Sequence, residues 1–327
     1  GKSWSSPTYK KFSDGRLIKH PRAANFAWHC KNGKYLYWFH NHGGKSIRDD
    51  PKRRNNAYSD RNPVWLCGGV EAETNEGRCI NWSQPEIVLY DDDPYIRMSY
   101  PDLIEEDGEY YFTETQKDIA RVHKIAPDLL RGLWGEESDW RNLRKGLIIE
   151  ESPVKNKSIG LPPLPLFNRR SVKSPYGTDD LRSGFSLEFW VQSFVDEPQI
   201  MLDARKTDGR GFCLRYQGEG VIEFYMSDGR SCVTWCSDLY GLVTEKRNHV
   251  AVVVDGGPKL ISFIVNGAFH DGGEYRQFGW GRFGKEFRSA NGSGEIKLEN
   301  CIESLRVFDR PLRTFEAIAY FEKEVED

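Results

Sequence analysis

A period of two constrains this chain more than anything else in it. From residue 176 onward the stretches "GFSLEFWVQSF", "GFCLRYQ", "VIEFYMSDG", "NHVAVVVDGG" and "KLISFIVNG" alternate apolar and polar positions, and turns containing Gly separate them. Successive side chains of a strand point to opposite faces, so alternation of this kind marks strands with one buried face. Several such strands in sequence predict two antiparallel sheets packed face to face. Composition agrees, since 31 Gly and 13% aromatic residues against three Met suit short strands and tight turns better than packed helices. The expected fold class is all-β. At the end of the chain Leu312, Phe315, Ile318 and Ala319 recur at helical spacing and predict a short closing helix.

Residues 1–125 have a different texture. Aromatic-rich strand candidates ("NFAWHC", "KYLYWFHNH", "NPVWLCGGVEA", "PEIVLYDD", "EYYFTET", "IARVHKI") are bounded by turn signals such as Asn32-Gly33 and Asp107-Gly108. A Trp-Ser-x-Pro core occurs at Trp4 and again at Trp82, which suggests blades of a propeller and a chain that starts partway through an array. "PDLLRGLW" predicts one short helix. The break-rich "SIGLPPLPLFNRR", 158–170, shows no alternation and places a linker there. The expected organisation is therefore propeller blades over 1–145, a linker over 146–175 and a sandwich over 176–327.

Several function classes lack support. With 46 basic and 49 acidic residues the net charge is −3, which gives no field to gather phosphates or anionic lipid. No apolar run approaches the roughly 18 residues that cross a bilayer. Seven Cys form neither a zinc pattern nor a small disulfide framework. The Asp91–Asp93 cluster in "YDDDP" lacks the spaced oxygens of a calcium loop. Neither a metal nor another cofactor is expected, and "IRDDPKRRNN", 47–56, reads as a solvated connection.

Both halves resemble known families. In order, "FSLEFWV", "NHVAVVVDGG", "ISFIVNG" and "IESLRVFDRPLRTFEAI" resemble the laminin-G-like, concanavalin-A-like jelly rolls appended to extracellular enzymes. The first half resembles the C-terminal blades of a sialidase-like propeller, whose Asp-box turn is Ser-x-Asp-x-Gly-x-x-Trp. "GKSWSSP" looks like the tail of one such box, and "ETNEGRCINWSQP" like a degenerate copy that keeps Gly77 and Trp82. The resemblance implies that further blades lie outside these residues or on another chain, and that the protein works in an extracellular or periplasmic setting.

The same resemblance implies a site. "SYPDLIEEDGEYYFTET" follows the order of the family's nucleophile stretch, which puts Tyr100 at the nucleophile and Glu114 at the acid that orients an arginine. Arg61 in "DRNPVWLCGG" falls where the family has an arginine that grips the substrate carboxylate, and Asp102 lies beside the nucleophile as a sugar contact or a turn residue. A Tyr nucleophile suits an anomeric carbon that already bears a carboxylate, because a neutral attacking group avoids anion repulsion. The family's base and second arginine are not evident here. His40 and His42 stand near the position of that arginine, at alternate positions that would share a face, and near-neutral imidazoles there could move a proton at a glycosidic oxygen or simply bond to turns. Two functions follow as expectations: a glycoside hydrolase for an acidic or complex glycan, or a non-catalytic carbohydrate-binding protein on the same scaffold.

Overall fold

The computed structural model describes residues 6–326 apart from 7, 22–24, 51, 53–59, 76, 92, 117–118, 137–142, 168–182 and 193. Trp4, most of the 47–56 stretch and the end of the expected linker lie outside the described residues. The chain is all-β with short helices.

The first unit is built from two antiparallel meanders. Strands β1 (Phe26–His29), β2 (Tyr35–Phe39) and β3 (Val64–Thr74) run side by side, and β4 (Gly77–Trp82) and β5 (Glu86–Leu89) share the far edge of the long β3. A short helix α1 (Lys45–Arg48) follows β2. Strands β6 (Ser99–Glu106), β7 (Glu109–Gln116) and β8 (Ile119–Lys124) form the second meander. Asp107 and Gly108 close its first hairpin with φ of 50° and 80°, the backbone that a two-residue turn between twisted strands requires. Neither meander closes into a ring among the described residues. Gly77 sits at the β3–β4 turn with φ 108°, and Trp82 at the end of β4 is buried against Tyr35 and Tyr37. Helix α2 (Pro127–Leu133) buries Leu129, Leu130 and Leu133 on this unit. It comes so close to β3 that a Cβ on Gly68 would stand 2.3 Å from the Leu133 carbonyl oxygen.

The second unit is the sandwich. One sheet takes β10 (Ser158–Gly160), β12 (Gln199–Asp203), β13 (Gly211–Gly218), β14 (Val221–Ser227), β15 (Cys232–Cys236) and β20 (Glu295–Leu298). The other takes β9 (Leu147–Glu151), β11 (Gly184–Val191), β16 (Asn248–Asp255), β17 (Leu260–Val265), β18 (Ala268–Phe269), β19 (Gly281–Arg282) and β21 (Ile302–Phe308). Helix α3 (Thr314–Glu326) closes the chain as its spacing predicts.

The expectation of one buried face holds for only one sheet. In β14 exposure alternates, but every residue of β11 and β16 is buried. The cause is a third layer. Val250, Val252 and Val254 face the sandwich core, while Ala251 and Val253 face the other way, into a second core shared with Tyr37, Phe39, Trp65 and Trp82 of the first unit and Tyr320 of α3. Each large aromatic withdrawn from water there contributes roughly 2–3 kcal/mol, which makes this contact as substantial as a domain interior.

The stretch expected to be a linker is woven into the sandwich instead. Strand β9 pairs with β21 and β10 pairs with β20, while Leu161, Leu164 and Phe167 reach the sandwich core. Proline breaks the alternation, yet isolated apolar side chains at irregular spacing still find buried positions.

Candidate functional site

Where β2 ends, the chain carries His40, Asn41 and His42 into the seam between the first unit and the sandwich. All three are buried, Asn41 at 0% exposure, and Asn41 takes φ 30°. The segment Asp60–Arg61–Asn62 before β3 lies alongside. The structure thus gathers His40, His42 and Arg61: His42 and Arg61 both act electrostatically on His40. Arg61, 6% exposed, donates from Nη1 to Ser99 Oγ at 2.6 Å. Asn62 Nδ2 donates to the carbonyls of Asp91 and Asp93, both at 2.8 Å, so the acidic cluster contributes backbone rather than carboxylate oxygens to this contact.

The sandwich supplies the back wall. Gln277 Nε2 donates to Asp60 Oδ2 at 3.0 Å and stands 3.5 Å from His42 Nδ1, Trp280 Nε1 donates to the Asn41 carbonyl at 3.2 Å, and Arg282 Nη2 donates to the Asn62 carbonyl at 2.7 Å. His42 Nε2 lies 2.6 Å from the Asp60 carbonyl, and Phe278 packs on the ring. Trp280 stands out in the sequence as an aromatic that could stack on a sugar or fill a core, and it is buried; nothing local announces Gln277 and Arg282, which lie more than 200 residues from the histidines. Gln277 lies in the polar loop 271–280 and Arg282 on the two-residue strand β19, where neither residue type is unusual.

Burial overturns the expectation of near-neutral imidazoles. Desolvation, with help from His42 and Arg61, pushes His40 down to about 3, and desolvation pushes His42 down to about 4. Both are neutral at physiological pH and cannot serve there as ready proton donors. Burial also raises the Asp60 carboxyl, against the pull of Gln277, Arg282 and Arg97. It lowers the Arg282 guanidinium to about 10 and the Lys19 ammonium to about 8. Lys19 donates to the carbonyls of Asp271 and Arg276 at 2.7 Å each, on the sandwich loop that leads to Gln277.

Some polar atoms here stay unsatisfied. Neither Oδ1 nor Nδ2 of Asn41 reaches a hydrogen-bond partner among the described residues, and the Pro63 carbonyl lies beside the His40 ring without meeting hydrogen-bond geometry. Each buried polar group left in that state costs about 1–3 kcal/mol.

The remaining predicted residues lie on the second meander. Tyr100 follows Ser99 directly, so it stands at the border of the cluster. It is 63% exposed with φ 49°, next to the bulge between Ser99 and Asp102 that Pro101 imposes on β6. Asp102 is exposed and accepts from the Leu103 amide at 2.9 Å. Glu114 is fully buried on β7 and pairs with Arg121 Nη1 at 2.7 Å, with His123 Nε2 at 3.6 Å. Both of these partners of Glu114 lie on β8.

A cleft of about 580 Å³ opens elsewhere, between β3, β4, α2 and α3, with Trp82, Gln84 and Phe315 on its walls. Gln84 is already committed, accepting from Arg16 Nη2 and the Phe269 amide and donating to Asp14. That chemistry ties the two units together.

No group of three or more His, Cys, Asp or Glu among the described residues is placed to hold a metal ion. No described helix is long and apolar enough to cross a membrane. All seven cysteines are free, with Cys232 and Cys236 on the edge strand β15.

No curated protein matches the chain. Among solved structures it is similar to the CBM40 of the Ruminococcus gnavus IT-sialidase, with 14% identity and a TM-score of 0.36 over 54% of this chain and 100% of that one. It is similar to the leech intramolecular trans-sialidase complexed with 2,7-anhydro-Neu5Ac, with 15% identity and a TM-score of 0.32 over 54% of this chain and 28% of that one. It is also similar to the botulinum neurotoxin serotype D binding domain, with 14% identity and a TM-score of 0.35 over 44% and 38%. Residues 168–316 match the family model of the concanavalin A-like lectin/glucanases superfamily, and the sandwich is a domain of that laminin-G-like, concanavalin A-like kind.

Proposed function

We propose that the protein binds a carbohydrate bearing a carboxylate, in the seam between its two units. The observation that carries this reading is the set of planar polar side chains His40, Asn41, His42, Arg61 and Asn62 buried together, with the Asn41 amide unsatisfied. Sugars present hydroxyl groups that donate and accept in pairs, and a desolvated amide, imidazole and guanidinium offer complementary partners. Arg61 is the group for the carboxylate, because a guanidinium can fork both oxygens. The test is calorimetric titration with 3′-sialyllactose, its methyl ester and lactose. Arg61→Lys should weaken the acid at least tenfold and leave the ester and lactose nearly unchanged. Equal affinity of the wild-type protein for acid and ester removes the carboxylate from the reading.

A second reading, glycoside hydrolysis with Tyr100 as nucleophile, is favoured by one observation. A bulky aromatic in the left-handed region costs on the order of 1–2 kcal/mol, and Tyr100 bears that cost with its phenol in solvent beside Ser99. Such strain is most often retained where a side chain must be presented to something outside the fold.

A further inference from the structure

Resting on the reading of the seam as the ligand site, we propose that Gln277 of the sandwich is a positioning residue for it, holding the bare Nδ1 of the His42 tautomer that the Asp60 carbonyl sets. The sandwich is then part of the site rather than an appended support.

The argument starts from what each atom can do. A backbone carbonyl only accepts, so the 2.6 Å contact between His42 Nε2 and the Asp60 oxygen makes Nε2 the protonated nitrogen. Nδ1 then carries a lone pair. Asp60 presents a second acceptor, the carboxylate oxygen Oδ2, to the same space. Two acceptors face one another there, and a neutral group with two N–H bonds on one atom suits both. The Gln277 amide is that group, with Nε2 3.0 Å from Asp60 Oδ2 and 3.5 Å from His42 Nδ1.

The backbone that carries this amide is itself held in place. The Gly43 amide donates to the Gln277 carbonyl at 3.0 Å, tying the residue after His42 to the sandwich loop. Five residues on, Arg282 donates to the carbonyl of Asn62, immediately after Arg61. The loop therefore grips both polypeptide segments that carry the seam's polar side chains. The charged and titratable groups facing His42 and Asp60 are Lys19, His40 (which also faces Arg61), Arg97 and Arg282.

The imidazole nitrogens of the full chain, read by long-range proton–nitrogen correlation at pH 7, decide the matter. The His42 signals are assigned by their loss in His42→Asn. Wild type should show one protonated and one bare nitrogen. Gln277→Glu sets a carboxylate against two acceptors and should protonate His42 Nδ1. The near-isosteric Gln277→Leu, which removes both donors but leaves the Asp60 carbonyl on Nε2, should keep Nε2 protonated and move the bare Nδ1 signal downfield, because its lone pair has lost its donor. A His42 pattern identical to wild type in both variants overturns the proposal. Titration of Gln277→Glu with 3′-sialyllactose should show at least tenfold weaker binding. If wild type itself fails to bind, the carbohydrate reading falls while the nitrogen spectra still decide the role of Gln277.

Discussion

Glu114 accepts a hydrogen bond from Arg121 across the β7–β8 ladder, 2.7 Å from Oε1 to Nη1. The carboxylate predicted to orient an arginine does hold one, but its partner lies seven residues along the chain. Arg61 turns to Ser99 instead. Both members of the Glu114 pair are largely withdrawn from water, so removing the carboxylate breaks a buried ion pair. Glu114→Ala should cost about 3–5 kcal/mol in urea unfolding. The exposed Tyr100→Phe should cost less than about 0.5 kcal/mol. Similar costs for the two would deny that the pair is a buried strut.

Tyr100 should trade stability against ligand contact. Tyr100→Gly relieves the left-handed strain, worth about 1–2 kcal/mol, and adds roughly 0.5–1 kcal/mol of unfolded-state entropy. Stability should stay level or rise by up to about 1.5 kcal/mol while affinity for the acidic sugar falls. A clear loss of stability would mean that the phenol is a packing group.

Acid should unfold the protein through its histidines. His40 and His42 at the seam, and His270 in the sandwich, have folded pKa values near 3, 4 and 4, well below the ordinary 6.5. Between those values and 6.5 the unfolded chain binds protons that the folded chain refuses. The stability is thus complete above about pH 6.5 and is lost as pH falls toward 4. Each histidine contributes a slope of up to about 1.4 kcal/mol per pH unit in that window. Asp60 and Asp271, whose carboxyls are raised by burial, take up protons earlier in the folded state and soften the fall at its acid end. His42→Asn should flatten the curve of unfolding free energy against pH between 6.5 and 4. An unaltered slope would locate the acid sensitivity elsewhere.

The packing of α2 gives a sharper structural test. A methyl on Gly68 meets the Leu133 backbone, which cannot rotate away, whereas a methyl on Gly132 meets the Phe315 ring at 2.4 Å. Gly68→Ala should cost at the upper end of the roughly 1–3 kcal/mol typical of overpacking. Gly132→Ala should cost less, because the ring can move and alanine favours the helix. The reverse order in thermal unfolding would contradict this account of the contact between α2 and the sheet.

What the sequence made legible follows from local physics. Alternation exposed β11 and β14, and helical spacing exposed α3, because each pattern lies within one element. It could not reveal that β11 and β16 are covered on both faces, since the covering residues Tyr37, Trp65 and Trp82 lie more than 100 positions upstream. Leu161, Leu164 and Phe167 were hidden for a related reason: proline removed the period, and burial was decided by the sheet they landed against. His40, His42 and Arg61 were legible as residue types in suggestive places. Their protonation was not, because it depends on burial in the seam, where Gln277 and Phe278 reach His42 and Trp280 reaches Asn41 from the far end of the chain.

The last prediction separates binding from catalysis. Glycoside hydrolysis with retention needs a nucleophile and an acid that can protonate the leaving oxygen, with a base when the nucleophile is a phenol. Tyr100 can supply the first. For the second, His40 and His42 are neutral and buried at pH 7, and the Glu114 carboxylate is engaged by Arg121. Asp102 is exposed and lies on the strand that carries Tyr100. Orientation of reacting groups supplies about 7–11 kcal/mol in favourable cases, so a phenol without a positioned partner should show almost none of that acceleration. These 327 residues should therefore bind 3′-sialyllactose without turning over aryl sialosides or aryl glucuronides above the buffer rate. Robust turnover that disappears in Tyr100→Phe and in Asp102→Asn would reverse the order of the two readings, making the seam the binding arm of a hydrolase centred on Tyr100.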